Sequence, residues 1–518
     1  MKKRSIPFEQ TGKFSPLFLD YIAQKPSLQH LFNRPHSLEG LQDIASQFKK
    51  EDRTILFDAI SQQYEGIETS TLVKQNIALL QHENTYTVTT GHQLQLMTGP
   101  LFFVYKIITT INLCRELKKE SPSDNFVPVF WMASEDHDFE EINSFLLFGK
   151  KHTWDSSQTG AVGEFHLEDL KASMDEWPDE LAEYKAFYIS SKNLSEATRK
   201  LVNHLFQEHG LLILDANDRS LKKLFVPLLK KELTTSFSFD AVSRTSQFLA
   251  ENGYKTQVTP REINLFYLKD GVRERIIREG DVWKVNNTDL EFTEKQIDQL
   301  LEETPEVFSP NVILRPVYQQ CILPNISYVG GPGELIYWLQ LKEVFEAVDV
   351  VFPVLTPRSF GLFVNQNSQK KLDKLAIDVL SLFEEESLLR KSLVEKWSEA
   401  DLDISEDKAA LAKVFESLAQ KGVAIDPTLK AFVEGEGKRT EKQLDTIEKK
   451  FKKAEERKLE QSITQVLTLQ QRLFPNGGLQ ERQENLFSIL LNTPNFIDDL
   501  IDVLDPLAIS FNLLYDEG

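Results

Sequence analysis

The chain has 518 residues, with 59 lysines and arginines against 79 aspartates and glutamates, a formal charge of −20 at neutral pH. With 41% apolar and 27% charged residues it can build a large core in about three units of ~150 residues each, and it is neither disordered nor fibrous. The acidic balance excludes a general nucleic-acid or anionic-membrane binder, because such surfaces need surplus lysine and arginine to displace counterions, so an anionic substrate must meet a local cationic pocket.

The first 80 residues carry helical patterns broken by Pro26, Pro35, Gly40 and Gly66, which predicts several short helices ahead of a sheet. Short β-rich runs follow, each ending in a polar cluster. Tyr86–Thr90 ends in Gly91-His92-Gln93, and Pro100 opens an apolar helix reaching about Lys119. Phe126–Met132 ends in Ser134–Asp138, and Leu211–Leu214 ends in Asp215. Ile326–Val329 ends in Gly330-Gly331-Pro332-Gly333-Glu334 before a helix from Leu335 to Ala347, and Val350–Leu355 ends in Pro357-Arg358. Near-continuous apolar strands alternating with helices predict an α/β fold whose parallel sheet is covered on both faces. Ligands of such sheets sit outside the carboxyl ends of the strands, where all of these clusters fall. The intervals at about 148–200 and 236–305 interrupt the alternation and read as insertions on a core spanning 1–365.

Beyond Asn365 the composition turns to Lys, Glu, Leu and Gln. Leu372, Leu375, Val379 and Leu382 recur at steps of three and four, and Leu389 and Leu393 extend the series. After a break near Gly435 and Gly437 the spacing resumes at Leu444, Ile447, Phe451 and Ala454, then shifts phase at Ile463, Val466 and Leu473. Over 366–473 this predicts two long helices in a coiled-coil arm, the alternative being ordinary amphipathic helices packed on the core. Such a seam exposes apolar surface until it meets a partner, so a homodimer is expected. The apolar tail, residues 474–518, returns to the main domain.

Cys114 and Cys321 can form neither a disulfide framework nor a four-thiolate zinc site, which fits a reducing cytoplasm, and neither has a histidine close in sequence to activate it. The basic Met1–Pro7 segment is followed by Glu9, Gln10 and Gly12 before any apolar run, and Lys106 interrupts Leu101–Leu113, so neither a signal peptide nor a membrane span is expected.

Chemistry concentrates in the polar clusters. Gly91-His92-Gln93 lies between a strand and a helix whose approach contains Thr98, Gly99 and Pro100; there His92 either neutralises charge on a phosphate or acyl oxygen or only caps a turn. Lys106, deep in an apolar helix, either snorkels or aims at the site. Glu135, Asp136, His137 and Asp138 could bind Mg²⁺, hydrogen-bond a sugar or amine, or supply a general base, while Glu140 and Glu141 read as helix-start charges. The glycine loop at Gly330, Gly331 and Gly333 is neither a Walker loop nor G-x-G-x-x-G, yet it permits close backbone approach to a ligand. Arg315 and Arg358 are forks for a carboxylate or phosphate, or partners for surplus acid.

Taken together, Thr90–Gln93, Thr98–Leu101 with Tyr105-Lys106, Pro128–Asn143, the glycine loop and Pro353–Arg358 resemble the BshC family of bacillithiol biosynthesis, its cysteine ligases, over nearly the whole chain. The resemblance implies a Rossmann-like core with connecting-peptide insertions, a coiled-coil dimerisation domain, and addition of cysteine to glucosaminyl malate to form bacillithiol. Amide formation from a carboxylate calls for ATP as co-substrate, with Mg²⁺ as its companion. Position at the sheet edge makes His92, Lys106, Asp136, His137 and Asp138 the candidate catalytic groups. Gly91, Gln93, Thr98, Gly99, Glu135, Asn143, Arg315, Gly330, Gly331, Gly333 and Arg358 are the candidate substrate contacts, with no resident metal site. In this allocation the Gly91–Pro100 loop and Lys106 hold the nucleotide, Asp136 and Asp138 orient or deprotonate the glucosamine amine, and Arg315 or Arg358 grips the malate carboxylates. The alternatives are a nucleotidyltransferase-like or metal-assisted phosphoryl-transfer enzyme using Asp136, His137 and Asp138, and a dimeric scaffold with a vestigial pocket.

Overall fold

Five strands form the central sheet: β1 (Thr85–His92), β2 (Asn125–Met132), β3 (Leu212–Asp215), β4 (Asn325–Gly330) and β5 (Val354–Pro357). The computed structural model describes residues 1–49 and 52–517 of the chain. All strand pairs are parallel, in the order β3-β2-β1-β4-β5. Val127 through Met132 are all buried, so side chains on both faces of β2 are covered, as a parallel sheet between helical layers requires. The threonines of β1 suit the pleated backbone through their branched Cβ, and the Thr90 hydroxyl donates to the Val329 carbonyl of β4 at 2.8 Å. One face packs Val88, Ile326, Val329 and Val354 against Leu113 and Leu117 of helix α1 (Phe102–Glu120).

Sheet order decides where a ligand can lie. The chain builds outward from β1 through β2 to β3, then returns to add β4 and β5 on the other side, so the connections after β1 and β4 part in opposite directions. That switch point is the crevice where Rossmann-like folds bind ligands. Three further helices bear on the site: α2 (Arg219–Thr235) follows the edge strand β3, α3 (Arg315–Ile322) leads into β4, and α4 (Pro332–Leu339) leaves β4 at the switch point. α1 is buried on nearly every side and tolerates Thr109 and Thr110 because their hydroxyls donate to the carbonyls four residues back.

The interruptions of the alternation have structures of their own. The first contains a hairpin, Ser144–Leu147 with Lys150–Thr153, followed by helical segments. The second contributes Leu265–Lys269, Val272–Glu279, Val282–Val285 and Glu291–Thr293 to an antiparallel sheet that Phe308–Pro310 completes. At the chain ends, Lys2–Ile6 pairs antiparallel with Phe511–Tyr515, so the tail does rejoin the first unit.

The chain divides into Met1–Phe363 with Leu479–Gly518, and Val364–Gly478. Within the second unit the long helices are α5 (Ser405–Ile425) and α6 (Leu429–Leu473), which pack on each other. At ~1.5 Å per residue the 45 residues of α6 extend about 68 Å. The expected first helix of the arm is instead three pieces, Gln366–Leu375, a 3₁₀ segment Val379–Phe383, and Glu386–Trp397, because Ala376 turns left-handed at φ 52° and closes the first. Spacing by three and four survives such a break, since consecutive short helices can face the same neighbour. The expected break at Gly435 and Gly437 is also absent: α6 runs through both, and the turn lies at Asp426-Pro427. A Cβ on Gly437 would sit 3.1 Å from the Phe415 ring, whereas one on Gly435 would meet nothing within 4 Å. Gly437 therefore lets α5 approach, and Gly435 only costs helix propensity. Gly435→Ala is expected to stabilise the second unit by about 0.5–1 kcal/mol, and Gly437→Val to destabilise it by ~1–3 kcal/mol, both measured by urea unfolding followed by circular dichroism.

Candidate active site

The loops at the carboxyl ends of all five strands line one cavity of about 870 Å³. Gly91, His92 and Gln93 enter from β1, Ser134, Glu135 and Asp136 from β2, and Asn217 from beyond β3. Gly331, Gly333 and Glu334 enter from β4, and Arg358 follows β5. The histidine-bearing turn and the acidic segment thus share one space.

Its floor is an ion pair between a buried lysine and a part-exposed glutamate. Lys106 projects from α1, is 1% exposed, and donates from Nζ to the Gly91 carbonyl and to Glu334 Oε1, the latter at 2.8 Å. Glu334 Oε1 also accepts the Tyr328 hydroxyl at 2.9 Å, and Oε2 accepts the Gly331 N–H at 2.8 Å, closing the first turn of α4. Burial pulls Lys106 below the ordinary lysine range. Burial alone would raise Glu334, but Lys106 and the Gly331 N–H hold its carboxyl below the usual value. Lys106 is therefore a brace beneath the cavity and does not line it, which corrects the expectation that it touches nucleotide. His92 does line the cavity, edge-on to Phe102 at 5.1 Å, with Nε2 buried and unpartnered. Burial and the nearby Lys106 and Arg358 charges pull its pKa down to about 3, so it presents a neutral imidazole, against the charge-neutralising one of its two readings.

The acidic block separates into different roles. Asp136 accepts Gln93 Nε2 and the His137 N–H, each at 2.8 Å, with Arg273 3.8 Å away. Burial opposes ionisation, yet these donors outweigh it and hold the carboxyl far below its ordinary value, leaving a weak base suited to orienting a donor. Glu135 behaves oppositely. It pairs with wholly buried Lys222 of α2, which also donates to the Phe308 carbonyl at 2.8 Å and stands 5.1 Å over the Tyr318 ring. Burial still raises the Glu135 carboxyl above the usual range. His137 is half exposed outside the cavity lining, its Nδ1 2.6 Å from Arg273 Nη1. Asp138 caps the short helix Phe139–Ile142 by accepting the Glu141 N–H. Among the described residues no three His, Cys, Asp or Glu side chains gather as a cation site, so the metal-ligand reading of Asp136, His137 and Asp138 has no geometric support.

Other expected contacts lie away from the ligand space. Met97, Thr98 and Gly99 form a turn with φ of 48°, 65° and 63°, in which a Cβ on Gly99 would fall 1.7 Å from Gln95 Oε1. Asn485 Nδ2 holds this turn through the Met97 and Gly99 carbonyls at 2.7 Å each. Thr98 and Gly99 shape the entry to α1 and do not line the cavity. Asn143 ends the Phe139–Ile142 helix, its carbonyl accepting the Trp154 N–H at 2.7 Å, and Gly330 is packed against Leu335, its carbonyl accepting the Arg358 N–H at 3.0 Å. Glu141, read as a helix-start charge, also accepts Gln93 Nε2 at 2.7 Å and joins the cavity wall.

Sequence reading found two arginines of the site, Arg315 and Arg358, and missed four others. Arg261, Arg273, Arg275, Arg315, Arg358 and Arg482 all line the cavity. Arg315 lies within 5.5 Å of the Trp131 and Tyr328 rings with Nη2 unpartnered, and Arg273 stacks 4.1 Å over Phe266 with Nε unpartnered. Arg273 and Arg275 stand two apart on one strand and so share a face, the single sequence signal that could have found them. The cavity is thus the cationic pocket that an acidic chain needs for an anionic ligand.

This arrangement coincides with a match along the whole chain. Residues 1–359 match the family described as bacillithiol biosynthesis BshC, N-terminal Rossmann-like domain, and residues 361–515 match its C-terminal coiled-coil domain. The chain belongs to the BshC family. A BshC relative from Flavobacterium psychrophilum is 43% identical, covering 98% of both chains. One from Cytophaga hutchinsonii is 40% identical over 98% of each, and one from Flavobacterium johnsoniae is 42% identical over 98% of this chain and 99% of its own. Each carries the name "Putative cysteine ligase BshC". The BshC chain is accordingly an enzyme of the ligase class, forming a carbon–nitrogen bond. Among its described residues no helix is long and apolar enough to cross a membrane. Lys106→Met in this BshC chain removes the buried cation from Glu334, whose side chain is 29% exposed at the cavity and keeps its Tyr328 and Gly331 donors, and urea unfolding is expected to show a loss of about 1–3 kcal/mol.

Proposed function

We propose that the protein joins the carboxyl group of L-cysteine to the amine of glucosaminyl malate, with ATP activating the carboxylate, and so forms bacillithiol. The observation that carries this reading is the single cavity in which arginine forks, two carboxylates of opposite character and a glycine loop face one another in a BshC chain. A carboxylate resists amine attack until one oxygen becomes a leaving group, and transfer of a phosphoryl or adenylyl group from ATP makes it one. Attack by the neutral amine then forms the C–N bond, expels the phosphate or AMP, and releases a proton. Arg315 and Arg358 suit the malate carboxylates through their unpartnered Nη2 and Nε. Gly91 and the Gly331–Gly333 loop suit the nucleotide, since a Cβ on Gly333 would meet no atom within 4 Å and the backbone there is open. Any Mg²⁺ would arrive with the nucleotide as part of the substrate.

The proton has a destination in the same cavity. Asp136, held ionised by Gln93 and Arg273, suits orientation of the amine. Glu135, raised by burial, is the better base because proton transfer is most effective when the base pKa approaches the working pH. A base acts only when deprotonated, so kcat should rise with pH through the raised Glu135 pKa, placing the acid limb above the ordinary glutamate value of 4.5.

Incubation of the protein with cysteine, glucosaminyl malate and ATP should yield bacillithiol and one nucleotide product per thiol by mass analysis; absence of thiol product overturns the reading. Glu135→Gln should lower kcat by roughly 10²-fold or more and abolish the acid limb, whereas Asp136→Asn should act mainly on KM.

A homodimer formed through the second unit belongs to the same proposal. Val414, Leu418, Ile425 and Phe432 expose 44–80% of their surface along α5 and α6, an apolar run that a second copy would cover. Sedimentation of the full 59.6 kDa chain should give a species of twice that mass.

A further inference from the structure

Arg358 depends on a segment more than a hundred residues further along the chain. The first unit is left through the strand Phe360–Val364 and re-entered at Leu479, and the next two residues are Gln480 and Glu481, 7% and 0% exposed. Gln480 clamps the exit strand from both ends of its amide, accepting the Phe363 N–H at 2.8 Å and donating to the Phe363 carbonyl at 3.1 Å. Glu481 Oε1 accepts Arg358 Nη2 at 2.5 Å, and Oε2 accepts the Gly361 N–H at 3.0 Å. Arg358 Nη1 donates to the Ser359 carbonyl at 2.8 Å, and Phe360 and Phe102 take the guanidinium faces at 4.1 and 5.6 Å. One donor remains. Nε is buried, has no partner, and lies 3.6 Å from where a Cβ on Gly331 would project, beside the glycine loop of the cavity.

A buried ion pair adds little net stability, because desolvation of both charges offsets their attraction, so its better-founded contribution here is orientation. We propose that Glu481 is a positioning residue for Arg358: it holds the far edge of the guanidinium so that Nε–H is presented to an anionic group bound beside the Gly331 loop. The segment that re-enters after the second unit is then part of the binding site, and Arg482, the next residue, lines the same cavity. Only the identity of the anion, a malate carboxylate, rests on the proposed function.

The test uses the full chain and two probes in calorimetry, glucosaminyl malate and methyl glucosaminide, which lacks the malate carboxylates. Glu481→Gln should weaken the first about ten- to a hundredfold, as expected for one charge-assisted hydrogen bond, and leave the second unchanged. Arg358→Met should show the same loss, and the double variant no further loss, because Glu481 acts through Arg358. Losses that multiply in the double variant, equal weakening of both probes, or a Glu481→Gln affinity within twofold of wild type overturn the proposal. Should Glu481→Gln not fold, Glu481→Asp keeps the charge but withdraws it by one methylene, and the same comparisons apply. If the wild type binds neither probe, the proposed substrate is wrong, and crystal structures of wild type and variant decide the positioning claim. A guanidinium that leaves Phe360 in the variant supports it, and one that stays in place refutes it.

Discussion

A lysine ammonium enclosed between a helix and the end of a parallel sheet must be answered by a carboxylate and by every acceptor in reach, because an unpaired charge there would be too costly to retain. Lys106 and Glu334 meet that requirement across the switch point. Through them α1, the Gly91 carbonyl at the end of β1, Tyr328 of β4 and the first turn of α4 are tied together. The two loops on either side of the switch point are therefore held at a set separation, and the cavity above rests on a braced floor.

Above that floor, environment separates groups that would otherwise titrate alike. Glu135 and Asp136 are adjacent in sequence, yet one is raised by burial and the other lowered by the donors around it. His92, between cations and aromatic rings, is kept neutral. The arginines gathered around these groups reverse, locally, the charge of a chain that is −20 overall. Several keep a buried N–H without a protein partner, as a site prepared for an anionic ligand would.

Where sequence reading succeeded, the signal was local and periodic. Apolar runs ending in Gly91-His92-Gln93, Ser134–Asp138 and the Gly330 loop do end the strands of one sheet and do converge. Where it failed, the cause was contact at a distance. Nothing near Lys106 in sequence reveals Glu334, and nothing near Thr98 reveals that Asn485 closes its turn. Gly435 and Gly437 read as a helix break because propensity ignores the neighbour, whereas Phe415 packs on Gly437 and the helix continues.

The α/β alternation, the change of composition beyond Asn365 and the placing of reactive residues at strand ends are legible in residue order, because hydrophobic period and turn chemistry are properties of neighbouring residues. Which of those residues line the cavity follows from long-range contacts alone. Lys106 went under the floor, Asp138 to a helix cap, and Arg273, Arg275 and Arg482 into the wall. Burial and the approach of charges from remote segments set both direction and protonation, and both are fixed only when those segments meet.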